Sequence, residues 1–222
     1  MAERREEKYI ISYPEYSIIS NRVRSVLLPD PHGNNGRYSI CSMYFDDPVD
    51  TALYEKEDGQ PIHIKYRIRT YNGDRSFISL ERKTKRGIVT EKSAVAINET
   101  DLEKIKRSVS PNQVSRCFDM AADMRTRALS PKVCVRYDRE AYYQPTTGVR
   151  VTFDMNIDAL SPDTECLFGD CRRVIPSFPR DKVIMEIKYG EKCPSFIRIC
   201  CASDGMQLSV SKYALCRGTS VL

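Results

Sequence analysis

The chain has 222 residues, of which 41% are hydrophobic and 29% charged, and a formal net charge of +5. That apolar content supports a packed core and excludes global disorder. The charge is too small for a uniformly basic nucleic-acid coat, so where the charges lie matters more than their sum. The length suits one domain, residues 1–222, with a helical insert at about 100–128. The nine cysteines are odd in number and include no C-x-x-C pair. Cys166 and Cys171 are too isolated for a zinc site when only His32 and His63 are available as histidine ligands, so free thiols in a reducing cytosol are expected. The charged segment Met1 to Lys8 does not read as a signal peptide. No stretch approaches the ~20 apolar residues that cross a bilayer. A cytoplasmic protein, peripheral to a membrane at most, is the expectation.

In chain order, Lys8 to Ser12 predicts a strand. Pro14 can open a helix reaching about Leu28, because a missing N–H costs nothing in the first turn. Asp30 to Gly36, with its Pro, Gly and Asn-Asn-Gly, predicts a loop. Tyr38 to Phe45, Ile62 to Tyr71, Ser76 to Lys85 and Ile88 to Ile97 predict a meander with turns at Asn72-Gly73 and Arg86-Gly87. Thr100 and Glu103 have capping-box spacing for a helix beginning at Asp101. Ser110-Pro111 then restarts a helix to about Arg127. These helices should pack on the outside of the sheet. Lys132 to Tyr143, Val149 to Ile157 and Lys182 to Tyr189 predict further strands. Pro194 to Ser203 predicts a short helix and Met206 to Cys216 a final strand. Eight or nine strands joined mostly by turns point to an α+β fold, a closed antiparallel β-barrel with peripheral helices.

Successive side chains of a strand point to opposite faces. Lys65, Arg67 and Arg69 therefore share one face, and Ile64, Tyr66 and Ile68 the other. Glu81, Lys83 and Lys85 share a face, as do Arg150, Thr152 and Asp154. Glu186 and Lys188 lie among Ile184, Met185 and Ile187. Lys92 follows Glu91, Arg139 stands two residues after Tyr137, and Lys212 follows Leu208 and Val210. A sheet with one solvated face gives the same alternation. Here, however, the polar faces are mostly Arg and Lys, whereas ordinary surfaces mix both signs. Like charges opposite one another across strands repel. Concentrated on several strands, they call for a polyanion, and Arg forks and Lys point charges suit phosphate. A carboxylate among such cations is unfavourable unless it holds a divalent metal, for which Glu186 is the first candidate. Glu81 is the second, with pairing to a neighbouring Arg left open.

Several segments resemble the polyphosphate-polymerase (VTC, vacuolar transporter chaperone) domain of the stand-alone bacterial type, within the triphosphate tunnel metalloenzymes. They are Lys8-Tyr9, Ser42 to Asp46, Lys65 to Arg69, Glu81 to Thr84, Glu91 to Ser93, Tyr137 to Arg139, Val149 to Asp154, Met185 to Lys188 and Ser211 to Tyr213. The resemblance implies ATP-dependent synthesis of inorganic polyphosphate in a basic tunnel. Catalytic roles fall to Arg67, Arg69, Lys83, Arg139, Arg150, Lys188 and Lys212. Lys8, Lys65, Lys92, Tyr137 and Ser211 would bind substrate, and Glu186 and Glu81 would hold Mn²⁺ or Mg²⁺. ATP and polyphosphate are the implied partners. A membrane protein would take up the product, and no nucleic acid is expected. A triphosphatase on the same fold and a non-catalytic polyphosphate or inositol-phosphate binding module are the alternatives.

Overall fold

The computed structural model describes residues 5–57, 59–87, 89–108 and 110–220. In chain order the elements are β1 (Arg5–Ser12), α1 (Tyr13–Arg24), β2 (Leu28–Pro29), β3 (Arg37–Asp46), α2 (Thr51–Glu57), β4 (Ile62–Tyr71), β5 (Ile78–Arg86) and β6 (Val89–Ile97). Next come α3 (Glu99–Lys106), two 3-10 turns (Pro111–Gln113 and Ser115–Cys117), α4 (Phe118–Thr126), β7 (Ser130–Tyr143) and β8 (Arg150–Leu160). The chain ends with α5 (Thr164–Leu167), β9 (Val174–Pro176), β10 (Lys182–Tyr189), α6 (Ser195–Cys200), β11 (Met206–Gln207) and α7 (Lys212–Ser220). Two compact units share this chain. The first comprises Met1–Ser39, Tyr137–Ile157 and Phe178–Ser211; the second comprises Ile40–Arg136, Asp158–Ser177 and Lys212–Leu222.

In the first unit the hydrogen-bonded order is β11-β1-β10-β8-β7, and β2 pairs with β7. β1 with β10, and β10 with β8, are antiparallel. One face of these strands carries Ile11, Val151, Phe153, Val183, Met185 and Ile187, all buried against Tyr16, Ile19 and Val23 of α1. Complete burial of each such side chain favours folding by about 1.5–3 kcal/mol before entropy is counted. The helix starts where it does because Ser12 and Glu15 form a reciprocal capping box, with Pro14 in the first turn. It stops at Arg24, short of Leu28, and Leu28–Pro29 becomes β2 instead.

In the second unit the order is β3-β4-β5-β6, antiparallel throughout, and β9 pairs with the end of β8. Met43, Phe45, Tyr66, Ile68 and Leu80 on one face meet Leu102 and Ile105 of α3 and Met120 and Met124 of α4. The helical segment thus covers a single face of this meander, and the opposite face carries the basic side chains. Asn72 and Gly73 both have positive φ, 52° and 67°, and Asp74 N–H donates to the Tyr71 carbonyl at 2.9 Å. A Cβ on Gly73 would lie 2.5 Å from the Phe168 carbonyl oxygen, so both dihedral and space select glycine.

Several expectations are corrected. The predicted strand from Met206 to Cys216 is a two-residue β11 followed by α7, so Lys212 opens a helix rather than sitting in a strand. The cap of α3 is Asn98, whose side chain accepts from Asp101 N–H, rather than Thr100. The second insert helix is preceded by the two 3-10 turns and begins only at Phe118. Cys166 and Cys171 form a disulfide, where free thiols were expected. Short β2, β9, α2 and α5 are not among the predicted elements. The fold is α+β with a mainly antiparallel sheet. Among the described residues, β11 pairs with β1 alone and β6 with β5 alone, so neither unit closes on itself. No helix among them is long and apolar enough to cross a membrane.

Candidate functional site

In the first unit, register places Lys8, Glu186 and Thr152 in one row across β1, β10 and β8, and Glu6, Lys188 and Arg150 in the next. Glu186 is buried and surrounded by cations. Lys188 Nζ lies 3.0 Å from its carboxylate, Lys8 Nζ 3.6 Å and Arg139 Nη2 3.8 Å. Arg139, also buried, is held in a two-pronged bond by Asp154, with Nε and Nη2 at 2.6 and 2.7 Å, and lies 5.3 Å from the Tyr137 ring centre. Burial opposes the guanidinium charge, but Asp154, Tyr137 and Glu186 more than reverse this, and its pKa is raised. Arg150 turns to other partners, Asp30 at 2.5 Å and Tyr38 at 2.7 Å. Lys8 also donates to the Val210 carbonyl at 3.0 Å. Ser211 belongs to the stretch between β11 and α7.

In the second unit Glu81 occupies the equivalent chemical position. Arg67 Nη2 reaches it at 2.6 Å and Nε at 2.7 Å, Lys92 Nζ at 2.7 Å and Arg69 Nη1 at 4.0 Å. Burial pushes its carboxyl pKa up, yet Arg67, Arg69 and Lys92 hold it down at about 2. Pairing with arginine, the alternative left open for Glu81, is what these distances describe. Lys65, Lys83 and Lys92 stand in direct register on β4, β5 and β6. Arg69 donates to Ser42 Oγ at 3.0 Å, and Arg67 to Tyr44 Oη at 3.0 Å. Tyr44 stacks on Tyr213 at 5.0 Å, and Lys65 Nζ lies 5.3 Å from the same Tyr213 ring. Lys212 precedes that tyrosine at the start of α7. Burial raises the Tyr44 phenol, but Arg67, Arg69 and Lys65 overcome it and bring its pKa down to about 8.

Two participants had no assigned role in the sequence. Asp154 shares parity with Arg150 and Thr152, and Tyr44 with Ser42, so alternation alone pointed to their faces. What parity could not show was that they touch Arg139 and Arg67. The residues also bear on the metal. Among the described residues, no three acidic, histidine or cysteine side chains gather to hold an ion. Both oxygens of Glu81 are committed to cations at 2.6–2.7 Å. Glu186 stands 3.0, 3.6 and 3.8 Å from the Lys188, Lys8 and Arg139 nitrogens. A lone carboxylate so placed would hold an ion only together with phosphate oxygens and water, the usual habit of Mg²⁺.

The chain's fold is similar to that of a putative adenylyl cyclase from Hippeastrum, described as having a dominant triphosphatase activity. Identity is 14%, the TM-score 0.59, and the match covers 98% of this chain and 96% of that one. It is also similar to a putative adenylate cyclase from Bacillus halodurans at 10% identity and a TM-score of 0.50, covering 90% and 85%. At such identity the likeness concerns fold alone. No curated protein matches the chain. The VTC domain profile, by contrast, matches residues 3–221. Spanning nearly the whole sequence, that match makes this chain a member of the VTC domain family.

Proposed function

We propose that the protein synthesises inorganic polyphosphate from ATP in a basic tunnel, with Mn²⁺ or Mg²⁺. The observation that carries this reading is the in-register row Lys65, Lys83 and Lys92, on the same face as Arg67 and Arg69. Glu81 supplies one negative charge to this set, through Lys92 and Arg67, and a phosphate chain would add counter-charge along the rest of the row. The closed barrel, as one 222-residue domain, belongs to the same reading and rests on family membership.

Lys8, Arg67, Arg69, Lys83, Lys92, Arg139, Arg150, Lys188 and Lys212 bind phosphate oxygens, with Lys65 adding charge and Tyr137 and Ser211 adding hydrogen bonds. An oxygen of the terminal chain phosphate forms a bond to the γ-phosphorus of ATP, the bond from that phosphorus to the β,γ-bridging oxygen breaks, and ADP leaves with the electron pair. Ionised phosphate is already a nucleophile, so no side-chain base is required and positioning with charge neutralisation suffices. Glu186 is the carboxylate that would share the divalent ion, which supplies further neutralisation of the transferring group. Arg139, fixed by Asp154, holds its charge beside Glu186 without rearranging.

Purified protein given ATP and Mn²⁺ should yield ADP and a polymer that exopolyphosphatase degrades. The relative from Hippeastrum, described as a triphosphatase, favours a second reading in which water replaces the acceptor. Orthophosphate released in step with ADP, without polymer, would select that one. Binding of tripolyphosphate with no turnover at all would leave only the binding-module reading. A membrane protein that receives the polymer remains part of the proposal; co-purification from detergent extracts tests it.

A further inference from the structure

Behind Arg139 the chain turns its next side chain, Glu140, to the opposite face of β7. Glu140 is buried, and three hydroxyls donate to it: Ser20 and Tyr142 at 2.5 Å and Tyr16 at 2.6 Å. These bonds prevail over burial and hold its carboxyl ionised, near a pKa of 2. Arg37 also reaches Glu140, at 2.7 Å through Nη2 and 2.9 Å through Nε. Arg24 reaches it at 3.4 Å through Nη2 and gives Nε to Tyr142 Oη at 3.0 Å. Among the described residues neither guanidinium spends its Nη1 group on the protein. Both side chains are largely open, 54% for Arg24 and 61% for Arg37. They line a cleft of about 550 Å³ with Pro29, Asn34, Asn35 and Tyr142.

We infer that this cleft is an accessory site for a small phosphorylated molecule, separate from the phosphate-binding face of β7 and β10. Its volume lies in the range of small-molecule sites. Glu140 does not cancel the two arginines: one buried carboxylate against two cations leaves a net charge of +1, and its hydroxyl donors keep it fixed while it aims both forks. Two guanidinia arriving from α1 and β3 can share the several oxygens of one phosphate, a geometry that a two-oxygen carboxylate ligand fills less well. Asn34 and Asn35 add amide donors at the rim.

The inference is independent of the polymerase reading, and its test does not use turnover. Phenyl phosphate, titrated into ¹⁵N-arginine-labelled protein, should give saturable shifts of the Arg24 and Arg37 Nε resonances with an affinity of about 1 mM or tighter. Asn35 has φ of 48°, which aspartate tolerates, and it makes no bond to Glu140. Asn35→Asp should therefore weaken binding at least tenfold with the melting temperature unchanged, and Arg37→Gln should abolish it. Absence of saturation in the folded wild-type protein, or unchanged affinity in Asn35→Asp, would overturn the site. Equal binding of benzoate would overturn its assignment to phosphate.

Discussion

The two carboxylate-centred clusters are alike in composition and different in tightness. Glu81 closes on Arg67 and Lys92 at 2.6–2.7 Å, and both of its oxygens are spent. Glu186 keeps Lys188, Lys8 and Arg139 at 3.0–3.8 Å, while Asp154 takes the two-pronged bond with Arg139. Asp154 thus makes the short bonds to the buried arginine, and Glu186 lies farther from it at 3.8 Å. A neighbouring acid therefore changes how closely a buried carboxylate is approached by the cations around it.

This contrast can be broken most sharply at Glu186. Glu186→Gln should lower Mn²⁺-dependent ATP consumption by roughly a hundred- to a thousandfold while leaving tripolyphosphate affinity near wild type. Wild-type turnover in that variant would remove the distinction. Glu81→Gln should act instead on folding, because removing one partner strands buried charge. A loss of about 3 kcal/mol in denaturant unfolding is expected, and a neutral result would refute the counter-ion role. The same assignment fixes a pH dependence. The folded pKa of Glu81, about 2, lies below its ordinary 4.5. Its contribution is therefore complete above that ordinary value and fades as pH falls through it toward about 2. Acid unfolding of the wild type and Glu81→Gln should converge in that window.

Smaller effects sharpen the lysine row. Lys83→Ala removes the central charge of the row Lys65, Lys83 and Lys92 and should leave the unliganded melting temperature near wild type. It should weaken tripolyphosphate by about tenfold, the weight of one charge-assisted contact in calorimetric titration. Least in energy, Tyr44 should ionise near pH 8 in an ultraviolet titration, the early phase vanishing in Tyr44→Phe and moving upward when phosphate occupies the cations.

Alternation of polar and apolar residues determined much by itself. β4 and β10 occupy the predicted Ile62–Tyr71 and Lys182–Tyr189, and the face carrying Lys65, Arg67 and Arg69 follows directly from strand parity. The capping box at Ser12 lies within three residues of its partner and forms in place beside Pro14. Tertiary structure decided the rest, wherever the stabilising partner is distant in sequence. Lys212–Ser220 is a helix because Tyr213 and Cys216, three residues apart, are buried together and Tyr213 Oη donates to Asp46 at 2.7 Å. Asp46 also accepts from the Ala52 and Leu53 N–H groups and thereby starts α2, a cap reaching across six and seven residues. Periodicity tells which way a side chain faces; which oppositely charged group meets it there, and how tightly, depends on strands brought together only by folding.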